Sequence, residues 1–134
     1  MFGPPGHAYV YMIYGFYFCL NVVVEPMGYP AAVLIRAVEP LENVDVMRRL
    51  RGNPQKETNI ASGPGKLCIA MSIDKALNGA DVLDDVIWLE DRSFAPERIS
   101  ASPRVGVDYA GEYKDKLWRF FAEKNPHVSR VRFK

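Results

Sequence analysis

The chain has 134 residues, of which 49% are hydrophobic and 25% are charged. This length fits one globular domain, and the apolar fraction excludes an intrinsically disordered chain. Seventeen basic and sixteen acidic residues give a net charge of +1, which predicts no overall attraction to nucleic acid. Two cysteines, Cys19 and Cys68, are too few for a disulfide framework, so we expect free thiols in a reducing intracellular setting.

Residues 8–24 form an uncharged run (AYVYMIYGFYFCLNVVV) that is rich in aromatic and β-branched side chains. The run reaches the lower limit of a membrane span, but its polar groups would need partners in lipid, so we expect no membrane segment. Gly15 interrupts the run, which predicts two strands or one bent strand, mostly buried. Tyr9 and Tyr11 alternate and therefore share one face, whereas Tyr14 precedes the glycine and can project outward.

These tyrosines have two possible uses that the residues alone leave open. They can form an aromatic core strand, which is the common case. Alternatively, one ring stacks on a nucleobase while another fills the gap that a flipped base leaves in a duplex. Such stacking contributes about 1–3 kcal/mol per base. The second use would give the chain a nucleic-acid site despite its near-neutral charge.

Alternation and turn residues further along predict a mixed α+β fold with mainly antiparallel strands. Residues 31–38 (AAVLIRAV) are expected to form a buried strand with Leu34 and Arg36 on one face. A buried arginine needs acceptors, so Arg36 either holds a structural ion pair or belongs to a polar site. Further strands are expected at residues 86–90 and 104–107.

Two helices are expected between these strands. The three-residue recurrence of apolar side chains predicts a helix over residues 41–51, which Gly52 can close. A second helix is expected to begin at residues 62–65 (SGPG), with Ser62 as its N-cap. The spacing before Lys66 is not that of a nucleoside-triphosphate loop, but Lys66 at a helix start could hold a DNA phosphate.

Charge is unevenly distributed along the chain. Residues 112–134 carry seven basic and three acidic side chains, whereas residues 81–91 carry five acids and no base. The basic segment is either a phosphate-facing surface or ordinary solvated surface. His7, His127 and the two cysteines lack the short paired spacing of metal ligands, so we expect no metal site.

Four segments occur in an order that identifies a family: YVYMIYGFYFCLNVV, AVLIRAVEPLE, GPGKLCIAM, and PRVGVDYAGE followed by WRFF. Over about residues 2–131 the sequence resembles the alkylpurine (3-methyladenine) DNA glycosylases of the mammalian alkyladenine type. The resemblance implies one mixed domain around a curved, mainly antiparallel sheet with flanking helices. It also implies base-excision repair: a damaged purine such as 3-methyladenine or hypoxanthine is flipped out of double-stranded DNA, and water hydrolyses its N-glycosidic bond without metal or cofactor.

The resemblance assigns roles to residues that line the site in this family. Arg36 and the backbone carbonyl of Val105 are expected to hold the attacking water. Tyr11 is expected to pack against the flipped base, and Leu34 to line the base pocket. Asn21 is expected to help exclude guanine-type exocyclic groups.

Three further residues resemble the family's DNA contacts. Tyr14 matches the ring that inserts into the vacated gap of the duplex. Lys66 and Lys75 resemble lysines that touch phosphates. We expect the chain to act as a monomer, in the cytoplasm of a bacterium or the nucleus of a eukaryote.

One family feature has no match in the sequence. The family's general base is a glutamate in a Glu-Thr-Glu-Ala-Tyr-like segment, which also brings a second stacking tyrosine and is followed by a pocket histidine. Residues 1–134 therefore resemble a partial domain, the carboxy-terminal two thirds. We expect little or no excision by this chain alone, with a non-catalytic DNA-binding remnant as the alternative. Asp108 lies near Val105 but is expected to shape a turn.

Overall fold

The computed structural model describes residues 1–129, which combine antiparallel sheets with short helices. The five strands are β1 (Ala8–Ile13), β2 (Tyr17–Val23), β3 (Ala32–Leu34), β4 (Ile99–Ser102) and β5 (Arg119–Ala122). The α-helices are α1 (Val44–Leu50) and α2 (Pro64–Ala70), and 3-10 helices span Glu57–Asn59, Lys75–Leu77 and Asp108–Tyr113. This mixture confirms the predicted α+β class. No helix within the described residues is long and apolar enough to cross a membrane.

The strands are divided between two antiparallel sheets. One has the order β1-β2-β3, and the other pairs β4 with β5. In the first sheet Tyr11 lies opposite Cys19 and Asn21 lies opposite Leu34. This register places residues from three strands side by side on the same face of the sheet.

A tight turn joins β1 to β2, as the glycine in the uncharged run predicts. The amide of Phe16 donates to the carbonyl of Ile13 (3.2 Å), and the two residues between them, Tyr14 and Gly15, both have positive φ. Hairpins favour such turns because their twist matches that of the strands. Tyr14 accepts a conformation that non-glycine residues rarely adopt, and its ring is 81% exposed.

Alternation along the hairpin separates an apolar face from a polar aromatic face. Ala8, Val10 and Leu20 belong to the core, where α2 contributes Leu67 and Cys68. Burial raises the pKa of Cys68 to about 11, so this free thiol stays neutral at pH 7. The opposite face of the hairpin is left free to form a site.

The predicted strand over residues 31–38 is much shorter in the structure. Only Ala32–Leu34 pair as a strand, and Val33 is 52% exposed, so the expectation of a buried strand is wrong. Within the described residues β3 pairs with β2 alone and forms an edge of its sheet. Composition alone does not show whether a strand lies at the edge or in the centre of a sheet, because that depends on which strands pair with it.

Two other predicted strands are wrong. Residues 86–90 form no strand and contribute only Trp88 to an isolated bridge. Residues 104–107 form a loop, because the strand in this region, β4, ends just before Pro103. Pro103 has no amide hydrogen to donate, so the ladder with β5 does not continue through it.

Both predicted helices are present, with one correction. Helix α1 lies within residues 41–51, and Gly52 follows it with φ 75°, as expected. Helix α2 begins at Pro64 with Gly63 as its N-cap, and no side chain caps it, so the assignment of Ser62 is wrong. Its second residue, Gly65, lies against the Tyr17 side chain of β2.

Gly65→Ala is expected to lower the free energy of unfolding by about 1–2 kcal/mol. A Cβ at this position would lie 2.9 Å from Cδ1 and 3.3 Å from Cβ of Tyr17, and the overlap outweighs the helix propensity gained. Urea unfolding followed by circular dichroism measures the change. The matched control is Gly63→Ala, whose Cβ would meet only the Lys66 side chain at 3.7 Å. Equal losses in both variants would contradict the close approach.

Candidate functional site

A cavity of about 750 Å³ lies on the polar aromatic face of the three-stranded sheet. Its other walls come from residues 104–109 and 118–129. The five residues predicted for the water and base sites all line it: Tyr11, Asn21, Leu34, Arg36 and Val105. The structure thus brings together side chains from β1, β2, β3 and a distant loop.

Tyr11 presents its ring to the cavity beside a second ring. Its centroid lies 5.3 Å from that of Tyr9, so the two tyrosines share a face, as their alternation predicts. Burial raises the pKa of Tyr11, and neighbouring Cys19 raises it further. The hydroxyl therefore remains protonated and able to donate at neutral pH.

Asn21 is buried and held in one orientation by the backbone. Its Nδ2 donates to the carbonyl of Tyr9 (3.0 Å) and to that of Cys19 (3.4 Å). With both donors committed, the amide can offer the cavity only its Oδ1 acceptor. An acceptor fixed in this way discriminates between ligands by the hydrogens that they present.

Arg36 follows β3 and lies on the same wall as Leu34. The amide of Ile35 donates to the carbonyl of Leu20 (3.0 Å), which keeps the chain extended past the end of β3. The Nε of Arg36 is buried and has no hydrogen-bond partner among residues 1–129. Within the same residues, no carboxylate oxygen lies within 4 Å of the Arg36 guanidinium nitrogens. Of the two interpretations, a polar site therefore accounts for Arg36 better than a structural ion pair.

Val105 is positioned by contacts of its neighbour. The Arg104 guanidinium lies 5.2 Å from the centre of the Trp118 ring and donates to the carbonyl of Tyr113 (3.3 Å). These contacts fix the loop against the segment that leads into β5. Asp108 begins the 3-10 helix that follows and is not among the lining residues of the cavity.

Three charged side chains and one histidine of the cavity were not predicted as site residues. Arg104, Arg119, His127 and Glu39 all line it, and Arg119 and His127 are each 7% exposed. The sequence offered only weak signals for them, since Arg119 lies in a generally basic segment and His127 has no paired partner. Tertiary packing brings β5 and the loop after it to the cavity, and this places Arg119 and His127 in its wall.

The predicted DNA contacts lie in three separate places. Tyr14 is at the tip of the hairpin, and Lys66 lines a second cavity of about 580 Å³ together with Lys56, which sequence analysis missed. Val128 and Ser129 line both cavities and separate them. Lys75 is exposed on a 3-10 helix and lines neither cavity. Three basic residues of the predicted basic segment, Arg130, Arg132 and Lys134, lie outside the described residues.

Within residues 1–129 no three side chains of the histidine, cysteine, aspartate or glutamate type gather around one point. The cavity instead combines aromatic rings, an amide, guanidinium groups and one carboxylate. This set suits recognition of a planar, hydrogen-bonding ligand in the presence of negative charge.

Known proteins to which this chain is similar in sequence are named as DNA glycosylases. Residues 1–126 match the model of the methylpurine-DNA glycosylase family. Proteins of Methanocella arvoryzae, Alkaliphilus oremlandii and Clostridium tetani are 58%, 47% and 44% identical over 131, 137 and 138 residues. Each bears the provisional name 3-methyladenine DNA glycosylase. The matches cover 97% of this chain but only 65%, 68% and 68% of those relatives.

Asn21→Asp is expected to destabilise the protein by about 2–4 kcal/mol at pH 8 and by less at pH 5. A carboxylate cannot donate to the two carbonyls, and burial raises its pKa, so stability is lost as pH rises above the ordinary value near 4. Urea unfolding at both pH values measures this. Asn21→Leu, which also leaves the carbonyls without a donor, should show no such pH dependence. An Asp variant whose loss is the same at both pH values would contradict the assigned amide orientation.

Proposed function

Because this chain belongs to the methylpurine-DNA glycosylase family, we propose that it serves in base-excision repair of alkylated or deaminated purines in double-stranded DNA. The observation that carries the proposal is the single cavity that joins Tyr11, Asn21, Leu34, Arg36 and Val105. We further propose a pocket of the alkyladenine type, a monomeric protein, and a match to the carboxy-terminal part of the relatives' domain.

The flipped purine occupies the part of the cavity between β1, β2 and β3. Tyr11 covers one face of the base, and Leu34 packs against its edge. The Asn21 side chain, held in place by the two hydrogen bonds of its Nδ2, fills space beside the base and excludes guanine-type exocyclic groups sterically. Together these contacts select a planar base by shape and by hydrogen bonding.

The attacking water lies between Arg36 and Val105. The unpartnered Nε of Arg36 donates to the water oxygen, and the Val105 carbonyl accepts one of its hydrogens. A positively charged alkylpurine is already a good leaving group, so placing the water contributes directly to hydrolysis of the N-glycosidic bond.

Tyr14 fills the gap that the flipped base leaves. Its ring stands clear of the fold at the tip of the hairpin, on a backbone with positive φ that costs about 1 kcal/mol or more. An exposed ring on a strained backbone brings nothing to the core, which supports a role outside the folded chain. The aromatic-core interpretation does not account for this residue.

Lys56 and Lys66 hold the DNA backbone next to the flipped nucleotide. Their cavity also presents the hydroxyls of Thr58 and Ser62, and the ridge of residues 126–129 separates it from the base cavity. A phosphate near the flipped nucleotide must lie beside the base pocket, which is where these lysines stand. Lys75 contacts a phosphate further along the duplex.

Excision by residues 1–134 themselves is weak. Glu39 is the one carboxylate among the described lining residues, and its Oε2 already accepts from Asn125 (2.9 Å). A positioned general base contributes about 10²–10⁴-fold, and no other carboxylate of residues 1–129 faces the water site. This observation also favours a second candidate function, non-catalytic binding of damaged DNA.

The logarithm of the affinity for duplex DNA is expected to fall linearly with the logarithm of the salt concentration. The expected slope is about −0.9 per phosphate contact. Lys56→Ala and Lys66→Ala should each reduce the slope by about 1, and Lys75→Ala should do the same. Fluorescence anisotropy at several salt concentrations measures the slope. Arg92→Ala is the control, because this arginine already pairs with Glu90 and Glu42. Absence of binding at low salt would remove the nucleic-acid function altogether.

Tyr14→Ala is expected to weaken binding to a duplex with an abasic site by about 1–3 kcal/mol, or about 5- to 150-fold, and binding to intact duplex much less. The gap that the ring fills exists only in the first DNA. The matched control is Tyr29→Ala, an exposed tyrosine beyond the opposite end of β2. Equal losses on both duplexes would assign Tyr14 to general packing.

The 134-residue chain is expected to release hypoxanthine from a duplex at close to the background rate of DNA alone. The one carboxylate among the described lining residues, Glu39, already accepts from Asn125, so no lining carboxylate of residues 1–129 is free to take the proton of the water. Single-turnover assays measure release, and Glu39→Gln and Asp108→Asn should cause no further loss. Clear turnover that either substitution abolishes would identify that carboxylate as the base and contradict the expectation.

A further inference from the structure

The cavity is lined by more basic side chains than Arg36, the one that is assigned to the water site. Three arginines and one histidine line it, against a single carboxylate, Glu39, among residues 1–129. That carboxylate is half-exposed, engaged by Asn125, and 4.0 Å from the Nε2 of His127. Arg104 and Arg119 therefore have no carboxylate of the described residues in hydrogen-bond reach.

Two of these cationic or potentially cationic groups are deeply buried. Arg119 and His127 are each 7% exposed. Burial lowers the pKa of Arg119, and the nearby Arg36 guanidinium lowers it further, so the two arginines repel each other across the cavity. A buried guanidinium is costly unless acceptors surround it, and the acceptors given by the described residues are the carbonyl and hydroxyl of Ser129.

Two further nitrogen atoms of the cavity side chains also lack a hydrogen-bond partner. The Nε of Arg104 and the Nδ1 of His127 are buried and have no hydrogen-bond partner among residues 1–129. Native structures rarely leave buried polar atoms unpaired, and an unpaired group signals a bound molecule or a functional site. All the groups concerned border one cavity, so a single ligand can satisfy them together.

The fold holds these groups in place before any ligand binds. The register of β4 and β5 puts Ser102 opposite Arg119, and the loop that follows β4 carries Arg104 to the wall of the same cavity. Trp118 fixes the Arg104 guanidinium from the other side. The amide of His127 donates to the Asn125 side chain (2.8 Å), which in turn donates to Glu39.

We propose that Arg104, Arg119 and His127 form an oxyanion subsite in the cavity, which takes a phosphate or carboxylate group. The guanidinium groups donate to its oxygens, and His127 donates from Nδ1, with Nε2 directed at Glu39. The subsite goes beyond the proposed repair function, since it needs neither a flipped base nor the water of Arg36. Its ligand is the phosphate of a bound nucleotide or a free oxyanion of the same chemistry.

Thermal unfolding of the 134-residue chain with inorganic phosphate or formate tests the subsite, at about pH 6 and at ionic strength matched with sodium chloride. We expect a saturable rise of the midpoint, with affinity at least about tenfold weaker in His127→Phe and Arg104→Gln. Arg98→Gln is the control, because this exposed arginine pairs with Glu123 and does not line the cavity. No saturable rise, or an equal rise in the His127 and Arg104 variants, would overturn the proposal.

A second arm distinguishes the source of the oxyanion and separates this proposal from the repair function. If the ligand is a DNA phosphate, inorganic phosphate competes with duplex at constant ionic strength, and His127→Phe abolishes the competition. If it is a free oxyanion, phosphate binds without displacing the duplex. Phosphate binding by a chain that binds no duplex at all would support the subsite and remove the repair function.

Discussion

The period-two alternation of the β1–β2 hairpin is the constraint on which the rest of the structure depends. Ala8, Val10 and Leu20 face the core under α2, so Tyr11 and Asn21 must face the other way. The same alternation that buries one face therefore builds the wall of the cavity. A slip of one residue in the register would exchange the faces and lose the core and the site together.

A close contact with α2 fixes the base of the hairpin turn. Tyr17 begins β2 and lies against Gly65, so the start of α2 is fixed at short range to the base of the hairpin turn. The turn itself then carries Tyr14 outward on a strained backbone. The insertion that we propose for Tyr14 needs a rigid support, since a mobile hairpin would lose conformational entropy on every binding event.

Local patterns predicted the elements whose partners are near in sequence. The hairpin, α1 and α2 were predicted because turn residues and apolar periodicity fix them, and the motif-based site residues of β1, β2 and β3 do line one cavity. The edge character of β3 and the loop at residues 104–107 were missed, because both depend on tertiary pairing. Arg119 and His127 were missed for the same reason, as only tertiary packing brings β5 and the loop after it to the cavity.

We propose that the polar aromatic face of the three-stranded sheet receives a base flipped from double-stranded DNA. Hydrogen–deuterium exchange of the chain, with and without a hypoxanthine-containing duplex, tests it most directly. With the duplex bound, we expect slower exchange of the backbone amide hydrogens at the hairpin turn (residues 13–17), after β3 (residues 35–37) and in the loop at residues 104–107. Exchange in α1 should not change. Protection confined to α1, or spread evenly over the surface, would contradict it.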